Sequence, residues 1–295
     1  MRFVLERLAG KLLFYLTILV LLFIVIFPVY WLVTSSFKSQ SEILAGEPTW
    51  FPSTFTWANY TQVWSDAPLV RYFRNSTIIS LTSMSIAVLI ATLAGYAFSR
   101  FRFPGRGLFG LSILSTQMFP GILFLLPYFL LFTTLQRTPA MERLGIKFIG
   151  TEAVGWNYVL MIFTYTTFIL PFTIWLMRGF FDSIPFDLEE AAMVDGCTQF
   201  QAFYKVALPL ALPGVATVAI LAFLQGWNEV LFASILTNPQ TRTVALGIRD
   251  YRTQTTIAWN LTLTAGVLVA APVVVFFTGL QRQLVSGLTA GAVKG

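Results

Sequence analysis

The run LLFYLTILVLLFIVIFPVYWLV, Leu12–Val33, contains no charged side chain. About 20 apolar residues, at 1.5 Å per residue of helix, cross a hydrocarbon layer roughly 30 Å thick. The run is too long for the apolar core of a secretory signal, and no small-residue cleavage site follows it. It reads as a membrane span. Working outward, five more apolar segments follow: Ser76–Phe98, Leu108–Leu135, Tyr158–Met177, Leu212–Leu236 and Leu261–Leu280. Inside a bilayer each backbone amide needs a partner within the chain, so each segment is predicted to be a helix. No linker divides the sequence. The expected fold class is all-α: a polytopic integral membrane protein of six transmembrane helices, with residues 1–295 as a single domain.

Composition agrees. Hydrophobic residues make up 56% and charged residues 11% of the chain, whereas a soluble domain carries about a quarter charged residues. There is no histidine, and Cys197 is the one cysteine. Imidazole catalysis, an internal disulfide and a thiolate zinc cluster are therefore excluded. The net charge of +6 is dispersed, which suits an anionic leaflet rather than nucleic acid. No G-x-x-x-x-G-K-S/T phosphate loop occurs, so that cradle for ATP is missing from this chain.

An even number of spans puts both termini on one side. The tight Arg100–Arg106 turn holds three arginines and no acid, and the N-terminal arm carries Arg2, Arg7 and Lys11 against Glu6. Short basic loops stay cytoplasmic, so both termini are predicted inside. The first outer segment, Lys38 to Asn75, contains Pro48, Trp50, Pro52, Trp57 and Trp64. It is expected to form an ordered cap at the interface, where tryptophan concentrates. Asn59-Tyr60-Thr61 and Asn75-Ser76-Thr77 match the N-glycosylation acceptor, a short and common pattern.

Between spans four and five, residues 183–209 carry helix punctuation. Pro185 suits a first turn, and Asp187, Glu189 and Glu190 set negative charge at the positive end of a helix dipole. Leu188, Ala191, Ala192 and Asp195 share one face. Gly196 can take the left-handed conformation that stops a helix. Thr198 and Gln201 read as a capping box for a second helix, along which Phe200, Phe203, Tyr204 and Ala207 form a stripe, with Leu208-Pro209 as its end. Two helices this short are marginal alone in water and must rest on something. Their own bundle or a second protein would both serve.

The spacing Glu190-Ala191-Ala192-x3-Gly196-x9-Val206-x-Leu208-Pro209 resembles the signature loop of permease subunits of ATP-binding-cassette importers. It departs only at Val206, where isoleucine is commoner. Pro48–Pro52 with Thr56–Tyr60, and Gly95–Gly105, are similar to stretches of oligosaccharide importers. Gln117-Met118-Phe119-Pro120 and the tail Gly287–Gly295 resemble the second permease subunit of maltose and maltodextrin transporters. The resemblance implies the type I importer permease fold and an inner-membrane location in a bacterial or archaeal cell. The loop would be a cytoplasmic coupling helix-turn-helix built from Glu189, Glu190, Ala191, Ala192, Asp195, Gly196, Leu208 and Pro209. In it Glu190 would pair with a cation of the ATPase, Ala191 and Ala192 would lie against the ATPase surface, and Gly196 would make the corner. The implied partners are two copies of an ATPase subunit, a different second permease, an extracytoplasmic sugar-binding protein, an oligosaccharide and the lipid membrane. ATP and Mg²⁺ would be bound by the ATPase, leaving this chain without a cofactor and without catalysis. The tail, residues 282–295, would reach between the ATPase subunits; a frayed end is the plainer reading.

The substrate path is open at this stage. Gln117, beside Phe119, Pro120 and Gly121, falls about nine residues, or ~13 Å, into span three. There a loosened helix with aromatic neighbours such as Phe124 and Tyr128 could meet a sugar. The same residues serve equally well in helix packing. Asn228 and Glu229 are further candidates, because an intramembrane carboxylate is a functional residue by default; near the outer end of span five, a structural or gate-lining role is expected of Glu229. The rivals are the same importer carrying a non-sugar solute such as a glycerol phosphate or an amino acid, an ion-coupled transporter, and a membrane enzyme. A phosphate cargo calls for basic residues inside the spans, an ion-coupled carrier for midplane titratable groups, and an enzyme for a nucleophile–base set. The sequence offers none of these.

Overall fold

A computed structural model describes residues 2–252 and 257–292, with side chains over 10–252, 257–279 and 281. The helices are α1 (Arg2–Ser36), α2 (Gln40–Ile43), α3 (Ala58–Asp66), α4 (Leu69–Arg100), α5 (Arg106–Ser115), α6 (Ile122–Gln136), α7 (Pro139–Arg143), α8 (Val154–Ser183), α9 (Asp187–Val194), α10 (Gln199–Ala202), α11 (Leu208–Trp227), α12 (Leu231–Leu236), α13 (Val244–Gly247) and α14 (Trp259–Ala292). Among the described residues the only extended pairing is the isolated bridge between Arg252 and Ile257.

The all-α membrane fold stands, with two corrections to the spans. Gly10–Ser36, Leu69–Arg100, Val154–Ser183, Gln199–Trp227 and Trp259–Gly279 are each long and apolar enough to cross a membrane. The third predicted span is instead a broken pair, Arg106–Met118 and Ile122–Gln136, bent by 100°. Pro120 and Gly121 sit at the break; proline cannot donate a helical hydrogen bond and its ring clashes with the preceding turn. The fifth predicted span ends at Trp227 rather than Leu236. Glu229 ends it: its carboxylate accepts the amide protons of Phe232 at 2.8 Å and Ala233 at 3.1 Å, starting α12 as a separate helix.

The chain divides into two compact units. In the first, residues 1–68 and 248–271, every α1 side chain from Lys11 to Ile26 is exposed, and from Leu12 onward that surface carries no charge, which suits lipid or another membrane protein. The outer segment is ordered as expected. Buried Asn59 donates to the Ser36 and Lys38 carbonyls at 2.9 and 2.8 Å and accepts from Asn260 at 2.8 Å. The Tyr251 hydroxyl donates to the Val63 carbonyl at 2.7 Å.

The second unit, residues 69–247 and 272–295, is built on α4, α8 and α11. Gly95 lets α4 lie against α8: a Cβ there would be 2.8 Å from the Arg178 backbone nitrogen and from Met177 Cβ. One buried cluster includes Ile79, Leu160, Met161, Tyr165 and Phe232. A second includes Tyr96, Met177, Phe181, Phe203 and Val218.

Neutral amides fasten the segments around the N-terminal ends of α4 and α8. Asn157 donates to the carbonyls of Phe148 at 2.8 Å and Leu236 at 2.7 Å, and accepts from the Thr241 hydroxyl at 2.5 Å. Asn238 donates to the Gly150 carbonyl at 2.8 Å. Asn75 donates to the carbonyls of Gln240 and Arg242 at 2.9 and 2.8 Å and accepts from Tyr158. Asn59 and Asn75 are 3% and 0% exposed with their amides engaged, so both glycosylation matches are overturned. The tail residues 282–292 continue α14 as backbone helix; their side chains, and Val293 to Gly295 altogether, lie outside the described residues.

Candidate functional site

The predicted loop forms a corner. The helix starts at Asp187, after Pro185 rather than on it, with Asp187, Glu189 and Glu190 in its first turn. It stops as expected at Gly196, with φ +93°. The Gly196 amide donates to the Met193 carbonyl at 3.1 Å and the Cys197 amide to the Ala192 carbonyl at 3.0 Å, the paired closure of a Schellman turn. Thr198 and Gln201 form the predicted capping box.

The second helix departs from expectation. Leu208-Pro209 does not end it. Residues Phe203–Ala207 form a π-helical turn, and the helix continues through Pro209 to Trp227. The wider turn re-registers the backbone hydrogen bonds just ahead of the residue that lacks an N–H. Helix α10 and the span are therefore one rod. The aromatic stripe is also divided. Phe203 and Ala207 turn inward, while Phe200 and Tyr204 are 73% and 64% exposed. The Phe203 ring centroid lies 4.5 Å from that of Tyr96 and 6.3 Å from that of Phe181.

The two adjacent acids have opposite environments. Glu190 is exposed, as are Leu188, Ala191, Val194, Asp195 and Gly196, while Ala192 is half-buried. Glu189, expected to belong to the outward loop surface, is 1% exposed. Its Oε1 accepts from Arg100 Nε at 2.6 Å and its Oε2 from the Tyr96 hydroxyl at 2.7 Å. Arg100 spends its other donors on Ser99 Oγ and the Ile184 carbonyl, each at 3.0 Å. Its guanidinium also lies 5.6 Å from the Phe186 ring centroid. Ser99 in turn donates to Asp182 at 2.6 Å, and Asp182 pairs with Arg178 at 3.3 Å. Each carboxylate oxygen of Glu189 has a donor and each guanidinium nitrogen of Arg100 has an acceptor, the kind of added hydrogen bonding that makes a desolvated ion pair tolerable.

Sequence reasoning used Arg100 only as a topological charge and missed its partner. No local signal separates Glu189 from Glu190, because both acids lie off the face shared by Leu188, Ala191 and Asp195.

At the α5–α6 break a cleft of about 750 Å³ opens, lined by Gln117, Phe119, Phe124, Tyr128, Thr167 and Phe168 among others. The Gln117 amide donates to the Phe168 carbonyl at 3.3 Å. The rings of Phe124 and Tyr128 stand 5.5 and 5.8 Å from that of Phe168. The structure thus brings three of the predicted path residues, Gln117, Phe119 and Tyr128, together. Asn228 and Glu229 do not line this cleft, and Glu229 is engaged in capping α12.

The model of the family described as binding-protein-dependent transport system inner membrane component matches residues 87–289, spanning the cleft, the corner and the Glu189 anchor. The chain belongs to this family. Its relatives in the family include the sulfoquinovosyl glycerol transport system permease protein SmoH of Agrobacterium fabrum, 36% identical over 97% of this chain and 95% of that protein. The trehalose/maltose transport system permease protein MalG of Thermococcus litoralis is 33% identical over 98% and 99%. A bacterial ABC transporter involved in import of the acidic polysaccharide alginate has a chain of the same fold, with a TM-score of 0.72 at 20% identity over 95% of this chain and 97% of that one. As a member of this inner membrane component family, the protein is a transmembrane permease subunit.

Proposed function

We propose that the chain forms half of the translocation path of an ATP-driven oligosaccharide importer of the maltose, maltodextrin or trehalose type. A different permease supplies the other half. Two copies of an ATPase subunit bind ATP and Mg²⁺, and an extracytoplasmic protein delivers the sugar. Both termini lie in the cytoplasm. The observation that carries this reading is the α9–α10 corner. Leu188, Val194, Phe200 and Tyr204 are 46, 87, 73 and 64% exposed there, beside exposed Glu190. Apolar side chains ringed by charge mark a protein-binding surface. The carbohydrate cargo of the similar permeases supports the sugar.

In this mechanism the ATPase grips the corner, with Glu190 against a cationic side chain. ATP-driven closure shifts the corner, and the α10–α11 rod carries the shift into the membrane as a rigid-body motion. The cleft at Gln117 supplies the sugar's path: aromatic faces cover the apolar side of a pyranose while Gln117 and Thr167 meet hydroxyls. Glu190→Lys and Gly196→Asp are expected to leave the chain inserted, to abolish uptake and to lose ATPase copurification. Normal uptake by both variants in reconstituted vesicles would refute the docking. Gln117→Ala is expected to raise the sugar concentration needed to stimulate ATP hydrolysis. An unchanged concentration dependence would return the cleft to helix packing.

A further inference from the structure

We propose that Glu189, Arg100 and Tyr96 form a fixed joint that makes α9 move as one body with the C-terminal ends of α4 and α8, so that displacement of the corner enters the membrane through α4 and α8 as well as through the α10–α11 rod. The inference rests on the coupling reading above and adds positioning residues to it.

Three observations carry it. First, α9 has eight residues and would not hold its place unaided. Its one buried side chain is Glu189, and that carboxylate bonds only to the end of α4, through Arg100 and Tyr96. Second, Arg100 continues the connection to the Ile184 carbonyl just beyond α8, and Ser99 continues it to Asp182 within α8. Third, α4 and α8 cannot slide freely past one another here, because Gly95 places their backbones in direct contact one turn before the ion pair. A carboxylate locked to a planar guanidinium by directional bonds resists rotation in a way that apolar packing does not. Glu190, the neighbouring acid, faces outward and makes none of these contacts. The two acids thus divide the work, with one presented outward and one fastening the helix that presents it.

The joint can be read directly. Nitroxide labels at Asp187→Cys on α9 and Arg102→Cys beyond α4, both exposed, in a Cys197→Ser background, report the distance between the two elements in the assembled transporter. In the parent protein the distance distribution is expected to stay narrow with and without ATP. Glu189→Gln is expected to broaden it. ATPase copurification should remain, while sugar transported per ATP falls on the order of tenfold, the scale of a single coupling element. Arg100→Lys keeps the charge but not the fork and is expected to lose less. Tyr96→Phe, which keeps the ion pair, is the variant to use if Glu189→Gln fails to insert, and is expected to lose least while still broadening the distribution. Unchanged distributions with unchanged sugar per ATP would overturn the joint. So would a drop in protein yield with a normal ratio, because that is what a merely structural pair would give. Should Glu190→Lys transport normally, the docking reading falls, and the distance distributions still decide the joint on their own.

Discussion

The two ends of the α4–α8 pair are fastened by different chemistry. Around Asn75 and Asn157 the fastening is neutral: carboxamides and a threonine hydroxyl tie loop carbonyls to the helices without a formal charge. Around Arg100 it is ionic, with Glu189 and Arg100 side chains 1% and 6% exposed. A neutral amide network loses only hydrogen bonds when one member is deleted. A buried ion pair leaves an uncompensated charge, so the same deletion costs more. The neutral end is built to hold loops in place. The ionic end is directional and strong, and sits directly behind the exposed corner.

That contrast ranks the substitutions. The largest effect is expected from Arg100→Met, which strands a buried carboxylate and should destabilise the fold by roughly 3–5 kcal/mol. Thermal unfolding in detergent checks this, and adding Glu189→Met to the same chain should recover much of the loss. If the double variant is no better than the single, the cost is lost packing and not lost pairing.

Next comes Asn157→Ala, which leaves the Phe148 and Leu236 carbonyls and the Thr241 hydroxyl short of a partner. The expected cost is about 1–3 kcal/mol, insensitive to salt because no charge is involved. A loss exceeding that of Arg100→Met would invert the ranking and sink the comparison. Smallest of the three is Tyr96→Phe. It removes one hydrogen bond while Arg100 still pairs the carboxylate, and keeps the aromatic contact with Phe203, for an expected loss of about 0.5–1.5 kcal/mol. A melting midpoint below that of Asn157→Ala would mean that the hydroxyl matters more than the amide lock.

Much of this architecture is legible in the chain because the bilayer leaves few options. Twenty apolar residues in hydrocarbon must be helical, so α1, α4, α8 and α14 were foreseeable from composition and length. The corner was legible too, since Gly196 and the Thr198–Gln201 box act through bonds within a few residues. Elsewhere local rules were insufficient. Pro209 reads locally as a stop, yet the π turn carries the helix past it. Glu229 looked like a candidate for the path because of its charge, but its carboxylate caps a helix that periodicity had merged into the span. Likewise, Asn59 and Asn75 matched a surface pattern that their burial refutes.

The sequence by itself determined the membrane class, the helical content and the turn chemistry of the corner, because these depend on hydrophobicity and on contacts a few residues apart. Only the tertiary structure decided which of two adjacent glutamates faces outward and which is locked to Arg100. That pairing spans 89 positions. It depends on the direction of a side chain around a helix and on the backbone approach at Gly95, and neither quantity is written in residue type.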